Sequence, residues 1–163
     1  MEDVIIKFCY GKKYKYTNNY AIRNLIKYVT HEKDKEHVVL HYGTRGLTKN
    51  IDKAAEQIIR SQRLIKKNKN RRMYQVIITF PGNLEDTAFV SEVADRIADY
   101  YFQDYQLIYG VHTDTANLHI HFAINAVSYI TGLKYHRSKK ELAAEKEDLM
   151  NIIDYIADKY YPD

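Results

Sequence analysis

The stretch Gly110–Asn125, "GVHTDTANLHIHFAIN", decides the fold reading. Its second half alternates. In an extended strand successive side chains point to opposite faces. Leu118, Ile120, Phe122 and Ile124 therefore share one face, suited to a helix-covered core. His119, His121, Ala123 and Asn125 share the other. "TDTAN" has turn chemistry, so the residues before it form a second strand that ends at His112. In a hairpin His112 falls opposite His119, with cross-strand neighbours about 5 Å apart at Cβ. Three imidazoles then form a triangle on one sheet face, with room for water or substrate oxygens. Metal sites that do chemistry keep such open positions. Asp114 suits a carboxylate that holds an imidazole tautomer, and equally a turn residue.

Outward from this hairpin, both periodicities recur. "VIIKFCY" and "HVVLHYG" read as strands, as do "MYQVIITF", stopped by Pro81-Gly82, and "YQLIYGVH". Ile22, Leu25, Ile26 and Val29 keep helical spacing from about Tyr20 to Thr30. Asn50 caps a helix with Ile51, Ala54, Ala55 and Ile58 inward. Asn83 is the expected cap of a third helix, with Glu85 and Asp86 in its first turn. "SKKE", Ser138 to Glu141, is a capping box that opens a fourth. The order is β-α-β-α-β-α-β-β-α. It predicts an α/β (α+β) two-layer sandwich and a single domain over residues 1–163.

The bulk numbers narrow the chemistry. Hydrophobic residues make up 45% of 163, enough for a core and against wholesale disorder. Cys9 is the only cysteine, which excludes an internal disulfide and fits a reducing compartment. No apolar run approaches the roughly 20 residues of a membrane span, and the N-terminal apolar run is too short for a secretory signal. The expectation is a cytoplasmic protein with no membrane association. Net charge is +4, but its distribution says more. "RSQRLIKKNKNRR", Arg60 to Arg72, holds seven cations and no acid. Residues 141–163 hold seven acids against Lys146 and Lys159. Arg60, Arg63, Lys66, Lys67, Lys69, Arg71 and Arg72 are thus candidate phosphate contacts. Lys12, Lys13 and Lys15, interleaved with Tyr14 and Tyr16, combine charge with stacking.

"HTDTANLHIHFAIN" resembles the histidine motif of the relaxase/mobilisation nuclease family, roughly HxDTxNxHxHxxxN. His112, Asp114, Thr115, Asn117, His119, His121 and Asn125 match its fixed positions. The wider class is the HUH endonucleases. "LIKYVTHEK" looks like the family's first motif, a helix carrying the nucleophilic tyrosine, which falls on Tyr28. "YQVIITFPGNLEDT" is similar to its second, where Thr79 stands at the usual serine. "GLKYHRSKKEL" and the final helix resemble the domain's end. The resemblance implies a five-stranded, largely antiparallel HUH-relaxase-like sheet with a metal on its open face. It assigns His112, His119 and His121 to a divalent cation, magnesium or manganese in function, though zinc, cobalt or nickel would also suit three imidazoles. Asp114, Asn117, Asn125 and Thr79 become supporting residues. The implied activity is metal-dependent nicking of one DNA strand at a transfer origin, through a covalent 5′-phosphotyrosine. Single-stranded DNA is the implied partner, with accessory relaxosome proteins and a coupling protein.

The helix geometry is compatible with that role. At 100° per residue Tyr28 lies about 110° from the centre of the apolar stripe, at the edge of the buried face. Tyr14, Tyr16 and Tyr20 are rival tyrosines. The base that activates the nucleophile is open among His31, Glu32, Glu85 and Asp86. Competing readings are a replication-initiator HUH nuclease, a single-strand-binding homologue that does not nick, and a small-molecule metalloenzyme using three histidines.

Overall fold

The computed structural model describes residues 1–9, 11–31, 38–113 and 117–163. Five strands, β1 (Ile5–Phe8), β2 (Val38–Arg45), β3 (Met73–Thr79), β4 (Leu107–Thr113) and β5 (Leu118–Asn125), form one sheet in the order β1-β3-β5-β4-β2. Every neighbouring pair is antiparallel. Four helices accompany them: α1 (Asn19–Thr30), α2 (Ile51–Leu64), α3 (Thr87–Phe102) and α4 (Lys139–Tyr160). The five-stranded antiparallel sheet and the element order are those expected.

The helices are distributed over both faces of the sheet, three layers in place of the expected two. One core packs α3 and α4 against Val76, Ile78, Tyr109, Val111, Ile120 and Phe122. The second packs Ile22, Leu25, Ile26 and Val29 of α1 and Ala54, Ala55 and Ile58 of α2 against Met73, Ile108 and Ala123. By strand alternation this second face is the histidine face. It is covered over part of β4 and β5 and left open toward β1, where Ile5 is 64% exposed. Each fully buried apolar side chain of α1 contributes roughly 1.5–3 kcal/mol, so the helix is firmly seated beside the histidines.

Capping follows the sequence at α2, where Asn50 accepts from the Lys53 N–H, and at α4, where Ser138 and Glu141 form the capping box. It departs at α3. The cap is Asp86, which accepts from the Phe89 N–H, not Asn83. Pro81 to Leu84 closes a turn first, with the Leu84 N–H donating to the Pro81 carbonyl, so the helix starts one turn later.

Candidate active site

The register of β4 and β5 places His112 directly across from His119, and Gly110 across from His121. The three rings cluster with centroids 4.5 Å (His112–His121), 4.9 Å (His119–His121) and 5.5 Å (His112–His119) apart. One ring nitrogen from each lies within 4.8 Å of the others. The cluster is buried, with His119 the most open at 9% exposure. The connecting residues Asp114 and Thr115 lie outside the described residues, as does Glu32.

In the neutral rings, the hydrogen-bond acceptors select which nitrogen carries the proton. A carbonyl oxygen only accepts, so the nitrogen facing it must donate. His119 Nδ1 donates to the Asn117 carbonyl at 3.1 Å, and His121 Nδ1 to Gln75 Oε1 at 2.9 Å. Both rings then carry their lone pair on Nε2. His112 Nε2 donates to the Val29 carbonyl at 2.6 Å, which leaves its lone pair on Nδ1. Neutral imidazoles, each oriented by a hydrogen bond on one ring nitrogen, are the donor set that divalent metals take. The residues present therefore fit a metal ion.

Tyr28 stands at this cluster. Its ring is 5.0 Å from that of His121, edge-on at 90°, and 5.9 Å from that of His112. It is half-buried and lines a recess of about 370 Å³ with Asn24, Lys27 and His31. Among the rival tyrosines, Tyr20 is 72% exposed. The Tyr16 hydroxyl accepts from Gln75 Nε2 at 2.8 Å, and burial pushes its phenol up to about 12. Tyr14 lies beneath Lys13 and Lys7, whose ammonium groups hold its phenol below the usual range.

The supporting residues separate into near and far. Thr79 pairs with His119 across β3 and β5 and shares its face. Asn117 Nδ2 donates to the Phe80 carbonyl at 2.7 Å, tying the hairpin to the end of β3. Asn125 is far: six residues on from His119, about 20 Å along the strand. Its Oδ1 accepts from Gln62 Nε2 and the Val127 N–H, and its Nδ2 donates to Gln106. It joins α2 to the sheet rather than touching the histidines. Of the candidate bases, Asp86 is committed elsewhere. The Phe89 N–H and the Tyr161 hydroxyl hold its carboxyl below the usual range.

The basic residues do not act alike. Arg60, Arg63, Lys66, Lys67 and Lys69 are exposed. They sit at or beyond the end of α2, on the Asn125 side of the sheet. Arg71 is half-buried, with its guanidinium 4.5 Å over the Tyr74 ring and a bond to the Tyr14 carbonyl. Arg72 departs from the expectation of a phosphate contact. It is 4% exposed, and its guanidinium donates to Gln62 Oε1 at 2.8 Å and Asn19 Oδ1 at 2.7 Å. It braces α1 and α2. Lys13 is exposed and Lys15 half-buried, while the Lys12 side chain lies outside the described atoms.

Several residues at the site were not singled out by the sequence. Gln75 on β3 bonds His121. Lys7 on β1 pairs with Ile77, which pairs with His121, so it shares the histidine face two strands away. Alternation within β1 and β3 carried that signal, but the pairing order did not follow from sequence alone. Among the described residues no helix is long and apolar enough to cross a membrane.

Comparison with known proteins agrees with this geometry. Two Escherichia coli proteins, each called Protein TraI, are 29% identical over 106 residues, which are 63% of this chain but 14% of the relative. The chain thus spans a small fraction of the curated relatives it matches. A solved chain described as "Molecular Basis of Vancomycin Resistance Transfer in Staphylococcus aureus" superposes with a TM-score of 0.65. It covers 97% of this chain and 94% of its own length at 12% identity, a likeness of fold. Residues 28–161 match the family described as "Relaxase: MobA/VirD2-like, nuclease domain". The chain, with a buried cluster of three histidines in a five-stranded antiparallel sheet, belongs to that relaxase family.

Proposed function

We propose that this chain nicks one DNA strand at the transfer origin of a plasmid or mobile element, and that Tyr28 holds the cut strand as a 5′-phosphotyrosine. The observation that carries the reading is the Tyr28 ring set edge-on, 5.0 Å from His121, at the three-histidine cluster. A relaxase needs a nucleophile and a charge-stabilising centre within one phosphate of each other.

In this reading Tyr28 Oη attacks phosphorus in line with the 3′ oxygen. The Oη–P bond forms, the P–O3′ bond breaks, and the departing oxygen takes up a proton. The phosphotyrosine keeps the phosphodiester bond energy for religation. A phenol has a pKa near 10, so about one in a thousand is ionised at neutral pH. A base helps. His31 lines the Tyr28 recess. Thr30 Oγ1 donates to the Ile26 carbonyl and so accepts from His31 Nδ1, which leaves the lone pair of that imidazole on Nε2. We assign the base to His31.

His112, His119 and His121 would hold the divalent ion, magnesium or manganese in function, with zinc, cobalt or nickel able to occupy the same nitrogens. A bound cation there supplies Lewis-acid stabilisation of the phosphoryl oxygens. Lys13, Lys15, Arg60, Arg63, Lys66, Lys67, Lys69 and Arg71 are the proposed strand contacts, with Lys7 added from the fold. Thr79, beside His119, suits a backbone contact near the cut. Residues 1–163 act here as one nuclease domain, and accessory proteins at the origin and a coupling protein are its proposed partners.

The test is an origin oligonucleotide incubated with the protein and Mg²⁺ or Mn²⁺. A denaturation-resistant protein–DNA adduct is expected, lost on chelation and in His119→Ala. Tight, salt-sensitive strand binding with no adduct under either ion would make the chain a binding module instead.

A further inference from the structure

We propose that Gln75 is a positioning residue whose side-chain amide, braced by Tyr16, selects the tautomer of His121 that presents Nε2 to a divalent cation. The inference rests on the metal reading above and deepens it.

His112 and His119 donate to backbone carbonyls, of Val29 and Asn117. Those acceptors cannot turn over. His121 donates to a side chain, Gln75 Oε1, at 2.9 Å. Gln75 lies on β3 opposite Ala123, one pleat from the Ile77–His121 pair and on the same face. It is 6% exposed, so water competes little for its amide. Its Nε2 donates to the Tyr16 hydroxyl at 2.8 Å. Tyr16 is itself fixed: its backbone sits in the left-handed region at φ +52°, and its ring packs against the α1–α2 core.

The chemistry is directional. A neutral imidazole carries one ring proton. The amide oxygen can only accept, so it draws that proton to Nδ1 and leaves the lone pair on Nε2. An amide turned over would present N–H₂ to Nδ1 and demand the opposite tautomer, whose Nε2–H cannot ligate. Tyr16 accepts at the other end of the amide at 2.8 Å, which ties that end of the side chain in place. Oriented partners of this kind are worth about 10–100-fold in metal affinity.

The experiment measures Mn²⁺ affinity by calorimetry on metal-free protein, together with ¹⁵N shifts of the His121 ring. Wild-type protein is expected to carry the His121 proton on Nδ1. Gln75→Leu, close in volume but without an acceptor, is expected to weaken Mn²⁺ binding about 10–100-fold. Gln75→Glu, which can only accept at His121, is expected to restore it. Tyr16→Phe is expected to weaken binding less than Gln75→Leu. A merely structural role would lower the melting temperature of Gln75→Leu and leave the affinity of the folded protein unchanged, which overturns the proposal. So does a His121 proton found on Nε2 in the metal-free wild type, a reading that needs no variant to fold. Wild-type protein that takes up no Mn²⁺ sinks the metal reading itself, and with it this inference.

Discussion

Gly110 lets the carbonyl of Val29 approach the sheet: a Cβ at Gly110 would stand 2.0 Å from that oxygen and 3.1 Å from His112 Nε2. The same carbonyl accepts the His112 bond. One close approach therefore seats α1 on β4, orients a histidine and sets Tyr28, the residue before Val29, against the cluster. Gly110→Ala cannot be absorbed by a flexible side chain, because the atom it meets is backbone. We expect about 1–3 kcal/mol of destabilisation and loss of nicking in the fraction that still folds. Thermal melting with an adduct assay on folded protein checks both.

Asn125 completes the histidine motif in sequence, yet its amide serves α2, Gln106 and Val127. Asn125→Ala leaves buried partners unsatisfied, which costs about 1–3 kcal/mol. Nicking per folded molecule, measured well below the melting temperature, should remain near wild type. A large fall in rate without a fall in stability would return Asn125 to the chemistry.

The exposed cations and Arg72 should respond differently to substitution. Each phosphate contact removed from the Arg60–Lys69 group is expected to reduce the salt slope of single-strand binding by about 0.7. Arg72→Ala should leave that slope unchanged and lower the melting temperature, because its guanidinium is engaged with Gln62 and Asn19. Fluorescence anisotropy over a salt series, beside a melt, separates the two.

General bases contribute typically 10²–10⁴-fold, so His31→Ala is expected to slow single-turnover nicking by at least about 100-fold. Strand affinity should change little. An unchanged rate would move the base to another residue.

Much of this arrangement was legible in the chain. The alternation of Leu118–Asn125 and the turn residues before it predicted the His112–His119 pairing that the register shows. Asn50 and Ser138 sit just before clear apolar stripes, and both cap. Around α3, Asn83 and Asp86 compete, and the turn at Pro81–Leu84 decides for the later one. Arg71 and Arg72 are adjacent and identical, so nothing local distinguishes the half-buried one from the buried one. That difference arises from Gln62 on α2, which takes up the Arg72 guanidinium. Gln75 was equally hidden. Its contact with His121 depends on β3 lying beside β5, a non-local pairing that periodicity does not encode. The covering of the histidine face by α1 and α2 was hidden for the same reason.

The most direct measurement is peptide mapping of the protein–DNA adduct by mass spectrometry after nuclease digestion. The mapping is expected to find a nucleotide linked through its 5′ phosphate to Tyr28, and no adduct in Tyr28→Phe. A nucleotide on Tyr14, Tyr16 or Tyr20, or an undiminished adduct in Tyr28→Phe, would contradict that assignment.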